Sequence, residues 1–243
     1  MISTRDVRTY VINLPRRADR RAEITRRLPH ALPVVFTSDW GAQFDGRILS
    51  LDDLHNAGHK LFPWPIASQN PWWSRPLKYG EIGCTLAHHA CWRHAATTGT
   101  EPYILILEDD AVLGPTFLDD LLQALERLAE TTAFDLLYLG RYPLEPDRGA
   151  VAPGLVVPGY SHCSYGYLLT RPALDVLLGM HLEHAIVPVD EFLPSLYIDH
   201  PRDDLRARFP SQLTALACEP PLVHQRPKDD AGSDTEDSAF VTQ

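Results

Sequence analysis

No apolar run in this sequence approaches the roughly 20 residues that a membrane-spanning helix needs. The opening Met1-Ile2-Ser3-Thr4-Arg5-Asp6 lacks the apolar stretch of a signal peptide. Both absences lead to the expectation of a cytoplasmic protein without an integral membrane segment, or one held at the cytoplasmic face of a membrane by partners. A basic excess is also missing. The formal net charge is −10, the opposite of what a general nucleic-acid binder carries. Cysteine is scarce: Cys84, Cys91, Cys163 and Cys218 include no C-x-x-C pair, which speaks against a structural zinc site. Cys84 and Cys91 stand two helical turns apart, a rise of roughly 10 Å that no disulfide spans. Free, mostly buried thiols in a reducing compartment are expected. There is no Gly-x-Gly-x-x-Gly and no Walker lysine loop, which disfavours a dinucleotide dehydrogenase or a P-loop enzyme. There is no Gly-x-Ser-x-Gly elbow either, which disfavours a serine hydrolase.

What is present centres on Tyr103-Ile104-Leu105-Ile106-Leu107-Glu108-Asp109-Asp110. A short, continuous apolar run fits a strand buried on both faces. In open α/β sheets ligands collect at the carboxyl ends of such strands. Side chains alternate in an extended chain, so Glu108 and Asp110 are expected on one side and Asp109 on the other, toward backbone or ribose. Two hard oxygen ligands on one side suit Mg²⁺ or Mn²⁺ bridging a diphosphate. The alternative is that the acids merely solvate a strand end.

The 243 residues, 44% of them hydrophobic, suffice for one large α/β domain or two small ones. Residues 8–14 read as a first strand, an arginine-rich segment leads into a helix to about Leu28, and residues 33–37 read as a second strand. That is a βαβ unit, the building block of parallel sheets. Residues 40–76 carry Pro63, Pro65, Pro71 and Pro76 around Trp64, Trp72 and Trp73. Proline at this density forbids a long helix, so a loop-rich insertion is expected. Its tryptophans either stack on a sugar or plug the loop onto the core. Gly80-Glu81-Ile82-Gly83 opens a helix to about Thr97, with Cys84, Ala87, Cys91 and Ala95 as its buried stripe. Further strands are expected over 134–140, 164–170 and 213–218, with helices over 117–130 and 172–180. The tail, about 227–243, is polar and acidic and is expected to be mobile.

Four places beyond the acids could carry chemistry. Asn13 and the arginines after the first strand form a candidate nucleotide and diphosphate site, or a solvated basic face. The Gly80–Gly83 helix start, with Lys78 nearby, could admit an anion to backbone N–H groups. His88, beside the buried stripe, reads as a core histidine or a ligand. Asp190 and Glu191, after Pro188, read as a base in an apolar setting or as an N-cap.

In chain order these residues form blocks that resemble the family 25 glycosyltransferases, which include lipooligosaccharide sugar transferases and procollagen galactosyltransferases. The blocks are Val11-Ile12-Asn13-Leu14 with Arg16 and Asp19-Arg20-Arg21; Lys78-Tyr79-Gly80-Glu81-Ile82-Gly83-Cys84 with His88 and Trp92; and Leu107-Glu108-Asp109-Asp110. They continue with Phe134 to Arg141, Pro188-Val189-Asp190-Glu191-Phe192-Leu193-Pro194, and Ser233-Asp234-Thr235-Glu236. The last two look like the catalytic domain of the procollagen enzymes.

The resemblance implies one GT-A-type domain over residues 1–243, a Rossmann-like α/β fold with a mixed, mostly parallel sheet flanked by helices. It implies an inverting, Mn²⁺- or Mg²⁺-dependent transfer of galactose or glucose from a UDP-sugar to a hydroxyl on a glycan or protein. On this reading the metal falls to Glu108 and Asp110, with His224 as a low-ranking substitute for a family histidine in a segment that is shortened here. The catalytic base is Asp190, with Glu191 second. Nucleotide-sugar contacts fall to Asn13, Leu14, Arg16, Arg20, Arg21, Lys78, Gly80, Glu81, His88, Asp109, Arg141 and Ser233. The extra domain of the animal enzymes is expected to have no counterpart here, so anchoring or added acceptor surface is expected to be absent or supplied by partners. Two other readings stand beside this one. One is a catalytically silent homologue acting as a sugar-nucleotide or protein-binding module. The other is a nucleotidyltransferase, disfavoured because no phosphate loop follows Leu14.

Overall fold

In a computed structural model that describes residues 1–131 and 133–242, the elements fall in the order β1 (Val7–Ile12), α1 (Ala18–Arg27), β2 (Val34–Phe36), α2 (Leu51–Asn56), α3 (Pro71–Ser74), α4 (Tyr79–Thr98) and β3 (Tyr103–Glu108). They continue with β4 (Ala111–Leu113), α5 (Phe117–Thr131), β5 (Leu136–Pro143), β6 (Gly149–Ala152), β7 (Leu155–Val157), β8 (Ser161–Thr170) and α6 (Arg171–Gly179). The last are α7 (Val189–Ser195), α8 (Asp203–Arg208), β9 (Ala215–Cys218), β10 (Val223–Gln225) and α9 (Lys228–Ala231).

An eight-stranded mixed sheet runs in the order β2-β1-β3-β8-β5-β9-β7-β6. The βαβ unit expected from residues 8–37 is there, because β1 pairs in parallel with both β2 and β3. β8 then runs antiparallel between β3 and β5. The fold is thus α/β and Rossmann-like, as expected for a GT-A protein. A small antiparallel pair, β10 with β4, stands beside the main sheet.

The central strands are apolar at every position because both faces are covered. In β3, Ile104 and Ile106 enter the core beneath α4 and α6, while Leu105 and Leu107 enter the core beneath α1 and α5. β5 splits likewise, with Leu136 and Tyr138 on one side and Leu137 and Leu139 on the other. Each such side chain removed from water contributes about 1.5–3 kcal/mol.

Helix α4 departs from the expected single stripe. Ile82, Leu86 and Trp92 are buried along with Ala87, Cys91 and Ala95, since α4 packs on the sheet, on α6 and on α7. Cys84 is only partly buried. The proline-rich insertion plugs onto the core. Trp64 is 1% exposed, and the backbone of Lys60 and Phe62 pairs with Glu183 and Ile186. The tail folds back on the body rather than trailing away. Val241 N–H donates to Leu77 O at 2.8 Å and Tyr79 N–H donates to Ala239 O at 3.0 Å. Residue 243 of that segment lies outside the described residues. No helix among the described residues is long and apolar enough to cross a membrane.

Candidate active site

The carboxyl ends of β1 and β3 open into a cavity of about 760 Å³, within the roughly 300–1,000 Å³ of small-molecule sites. Glu108, Asp109 and Asp110 all line it. The expected alternation fails after Glu108. β3 ends there and Asp109-Asp110 form a turn into β4, so the two-residue period no longer applies. Asp109 accepts hydrogen bonds from Asn13 Nδ2 at 2.7 Å and from Arg20 Nη1 at 2.9 Å. It serves as the anchor of the β1 loop. Glu108 accepts from Ser164 Oγ at 3.1 Å. Asp110 Oδ2 accepts from Gln225 Nε2 at 3.1 Å, whereas its Oδ1 is buried with no hydrogen-bond partner among the described residues.

Burial pushes all three acids up: Glu108 to about 7, and Asp109 and Asp110 each to about 6. The neighbouring carboxylate adds to the rise in each, and Arg20 opposes it. An orphaned carboxylate oxygen beside other acids is costly unless a cation satisfies it. The donor set is all oxygen, so it fits a hard divalent cation.

His224 does not join this set. β10 pairs antiparallel with β4, placing His224 opposite Val112 and Gln225 opposite Ala111. The strand period turns Gln225 into the cavity and leaves His224 exposed.

At another wall, α7 presents Asp190 to the cavity. Pro188 occupies the N-cap position, so neither acid serves as the cap. Asp190 Oδ1 is buried without a partner among the described residues. Burial raises the carboxyl, and the Glu108 charge adds to the rise.

Glu191 is different. It is fully buried, away from the cavity, and accepts from Trp73 Nε1 at 3.0 Å and Tyr160 OH at 2.8 Å. His200 Nε2 lies 2.7 Å away and His162 Nε2 3.3 Å away. Burial alone would raise its pKa, but hydrogen bonds from His162 and His200 outweigh that and hold it at about 2. An acid clamped this way is a structural tie between the insertion, β8 and α7. Glu191, ranked second as a base, is not among the cavity's lining residues.

The basic cluster is spoken for. Arg16 pairs with Asp45 and Asp234, each at 2.6 Å. Arg17 pairs with Asp19 at 2.9 Å and Asp234 at 2.7 Å. Arg21 turns outward to Asp39 and the Phe36 ring. Of the expected contacts here, Asn13, Leu14 and Arg20 line the cavity, and Arg16 and Arg21 do not. Arg20 Nη2 also donates to Gly232 O at 2.6 Å, tying the tail over the site.

The α4 start is likewise occupied. Gly80 N–H donates to Ser238 Oγ at 2.8 Å, and Lys78 Nζ meets the Glu236 carbonyl. A Cβ at Gly80 would stand 2.7 Å from Asp234 O, and one at Gly83 would stand 2.1 Å from Phe44 O. These glycines admit other parts of the chain, which is a different reason from phosphate approach. Glu81 closes a capping box on Lys78 N–H at 2.7 Å and accepts from Trp72 Nε1 at 2.7 Å.

Lys78, Gly80, Glu81 and Ser233 line the cavity. His88 does not. It is fully buried under the floor, with Nδ1 2.8 Å from Tyr167 OH. Arg141 is also elsewhere, bonded to Ser161 and Asp147. Trp72, one of the tryptophans that could stack on a sugar, and Asp234 of the last family block also line the cavity, and His162, Ser164, Gln225 and Lys228 escaped the sequence reading. Only the period of β10 could have pointed to one of them, Gln225.

Residues 6–150 match the family model described as glycosyltransferase family 25 (LPS biosynthesis protein). A "Glycosyltransferase 25 family member" of Aedes aegypti is 35% identical over 240 residues, covering 96% of this chain and 38% of that protein. A "Probable inactive glycosyltransferase 25 family member 3" of Rattus norvegicus is 34% identical over 242 residues, covering 95% of this chain and 40% of that protein. An "Inactive glycosyltransferase 25 family member 3" of Homo sapiens is 33% identical over 227 residues, 88% of this chain and 36% of that one. The chain thus spans about two fifths of the length of these relatives.

Proposed function

Because the chain belongs to glycosyltransferase family 25, we propose that it transfers a hexose, galactose or glucose, from a UDP-sugar to a hydroxyl acceptor on a glycan or protein, with inversion and with Mn²⁺ or Mg²⁺. One observation carries this reading. Two carboxylates on different walls of one cavity, Asp110 and Asp190, each keep a buried oxygen without a hydrogen-bond partner among the described residues. Asp110, with Glu108 beside it, would hold the cation, which when bound offsets the charge on the leaving diphosphate. Arg20 and Lys78 line the same cavity and carry cationic donors for nucleotide or phosphate, and Asn13 presents there a buried Oδ1, an acceptor without a partner among the described residues. Asp190 takes the proton of the acceptor hydroxyl as that oxygen attacks the anomeric carbon, and the bond to the diphosphate oxygen breaks. Burial makes Asp190 a stronger base than an exposed carboxylate.

The test is UDP release from UDP-galactose and UDP-glucose with Mn²⁺. Asp190→Asn should lower kcat by about 10²–10⁴-fold, the span of a lost general base. Asp110→Ala should abolish the metal dependence along with turnover. Full activity in either variant overturns the role given to that residue.

A second reading is favoured by a separate observation. The tail occupies the α4 N-terminus and the arginines, and some relatives are named inactive. On that reading the chain binds a sugar nucleotide or a protein without turnover. Titration of UDP with and without Mn²⁺, beside the UDP-sugar assay, separates the two: metal-dependent UDP binding together with UDP formed from the UDP-sugar supports transfer, and no metal-dependent binding, or binding with no UDP formed from the UDP-sugar, supports the silent form.

A further inference from the structure

Cys84 lines the cavity floor and His88, one turn further along α4, is buried beneath it, both toward the end of β3. The Cys84 thiol, a His88 ring nitrogen and a Glu108 carboxylate oxygen all lie within 4.8 Å of one another. His88 Nε2 and Glu108 Oε1 are 3.6 Å apart. Zinc bonds of about 2.0–2.3 Å in a tetrahedron put ligand atoms about 3.3–3.8 Å from each other, so this pair already has the span of two ligands on one ion.

The far side of the imidazole is also set. His88 Nδ1 lies 2.8 Å from Tyr167 OH, which receives Trp92 Nε1–H at 3.0 Å. Metal-bound histidines usually engage their second nitrogen in this way, which fixes ring and tautomer. A hydroxyl partner can accept from Nδ1–H, leaving Nε2 with its lone pair toward Glu108 and toward Ser164 Oγ, 3.4 Å away, which a bound cation would displace from that nitrogen.

We propose that Cys84, His88 and Glu108 form a site for a borderline-soft divalent cation such as Zn²⁺, with its fourth position open to the cavity beside Ser164. Glu108 is common to this site and to the all-oxygen set at Asp110, and the sulfur and nitrogen donors of Cys84 and His88 are what distinguish it. Binding replaces the S–H bond of Cys84 by an S–metal bond and gives the proton to solvent. A search for paired cysteines cannot find such a site, because its third ligand comes from a strand rather than from α4.

Co²⁺ titration of the full chain tests the proposal, since a thiolate ligand on Co²⁺ gives a near-ultraviolet charge-transfer band and tetrahedral geometry gives strong visible bands. The expected result is one saturating equivalent, bleached by Zn²⁺. Cys84→Ser should remove the charge-transfer band. His88→Gln should weaken binding at least tenfold. Cys163→Ser and Asp110→Ala should leave the band in place. The exposed group His181, Glu183 and His184 contains no sulfur and cannot supply the band. No thiolate band in the wild type overturns the proposal, as does a band that survives Cys84→Ser in a protein that melts normally. The assay contains no sugar nucleotide, so its failure leaves the transfer reading intact and its success does not depend on transfer.

Discussion

Asp190 and Glu191 are chain neighbours pushed to opposite acid strengths. Both are withdrawn from water, so burial acts on both in the same direction. Glu191 alone receives the hydrogen bonds of Trp73 and Tyr160 and the two imidazoles of His162 and His200. A depressed carboxyl contributes stability that is whole above its unfolded pKa, near 4.5, and is lost as pH falls toward its folded value of about 2. Glu191→Gln should therefore cost about 3 kcal/mol near pH 7, as removal of one partner of a buried pair does. In urea melts the gap to wild type should narrow as pH drops below about 4. A gap that stays constant with pH would sink the assignment. At this scale the sequence named both acids and put Asp190 first, but it did not show their opposite settings. The pair stands in one motif, and only the fold brings residues from 73, 160, 162 and 200 around one of them.

Elements show the same division. β3 was legible because a short apolar run ending in acids fits a strand covered on both faces. The insertion was legible as irregular from its prolines. The fate of the tail was not. Its acids read as a solvated, mobile end, yet Asp234 pairs with Arg16 and Arg17, and Ser238 caps Gly80. The tail packs against Gly80, where a Cβ would stand only 2.7 Å from Asp234 O. Gly80→Ala should push the tail off and destabilise the fold by about 1–3 kcal/mol, the usual cost of overpacking. Limited proteolysis should then cut near residues 230–240 faster than in wild type. Unchanged cutting and an unchanged melting temperature would show that the tail does not rest on Gly80.

For the molecule as a whole, the crowded acids predict an unusual response to pH. Glu108, Asp109 and Asp110 titrate at about 7, 6 and 6 in the fold, against 4.5, 3.8 and 3.8 when exposed. In that window the folded chain holds more protons than the unfolded one, so these three acids make stability fall as pH rises from about 4 to 7. His88, lowered by burial to about 3, works the other way as pH falls below 6.5, as do His59, His89 and His94, which burial also lowers, while Asp190, raised by burial, acts with the three acids. A divalent cation at Asp110 needs the charged carboxylates, so its stabilisation should grow with pH. At 100 times its dissociation constant it adds about 2.7 kcal/mol. Melting curves with and without Mn²⁺ at about pH 5 and about pH 7.5 should show the larger shift at the higher pH. Equal shifts would argue against a carboxylate site.

The sequence by itself determined the α/β class, the buried strand, the family blocks and the identity of the acids. These depend on residue type and short-range period, which a linear chain displays openly. Tertiary structure alone decided that Asp109 ties down Arg20 and Asn13, that Gln225 rather than His224 faces the cavity, and that the tail covers the glycine turn. It also decided that a cysteine, a histidine and a glutamate from α4 and β3 converge. Each of these turns on where a strand stops or which way its side chains point. A one-residue change in either reverses the outcome, and composition does not record it.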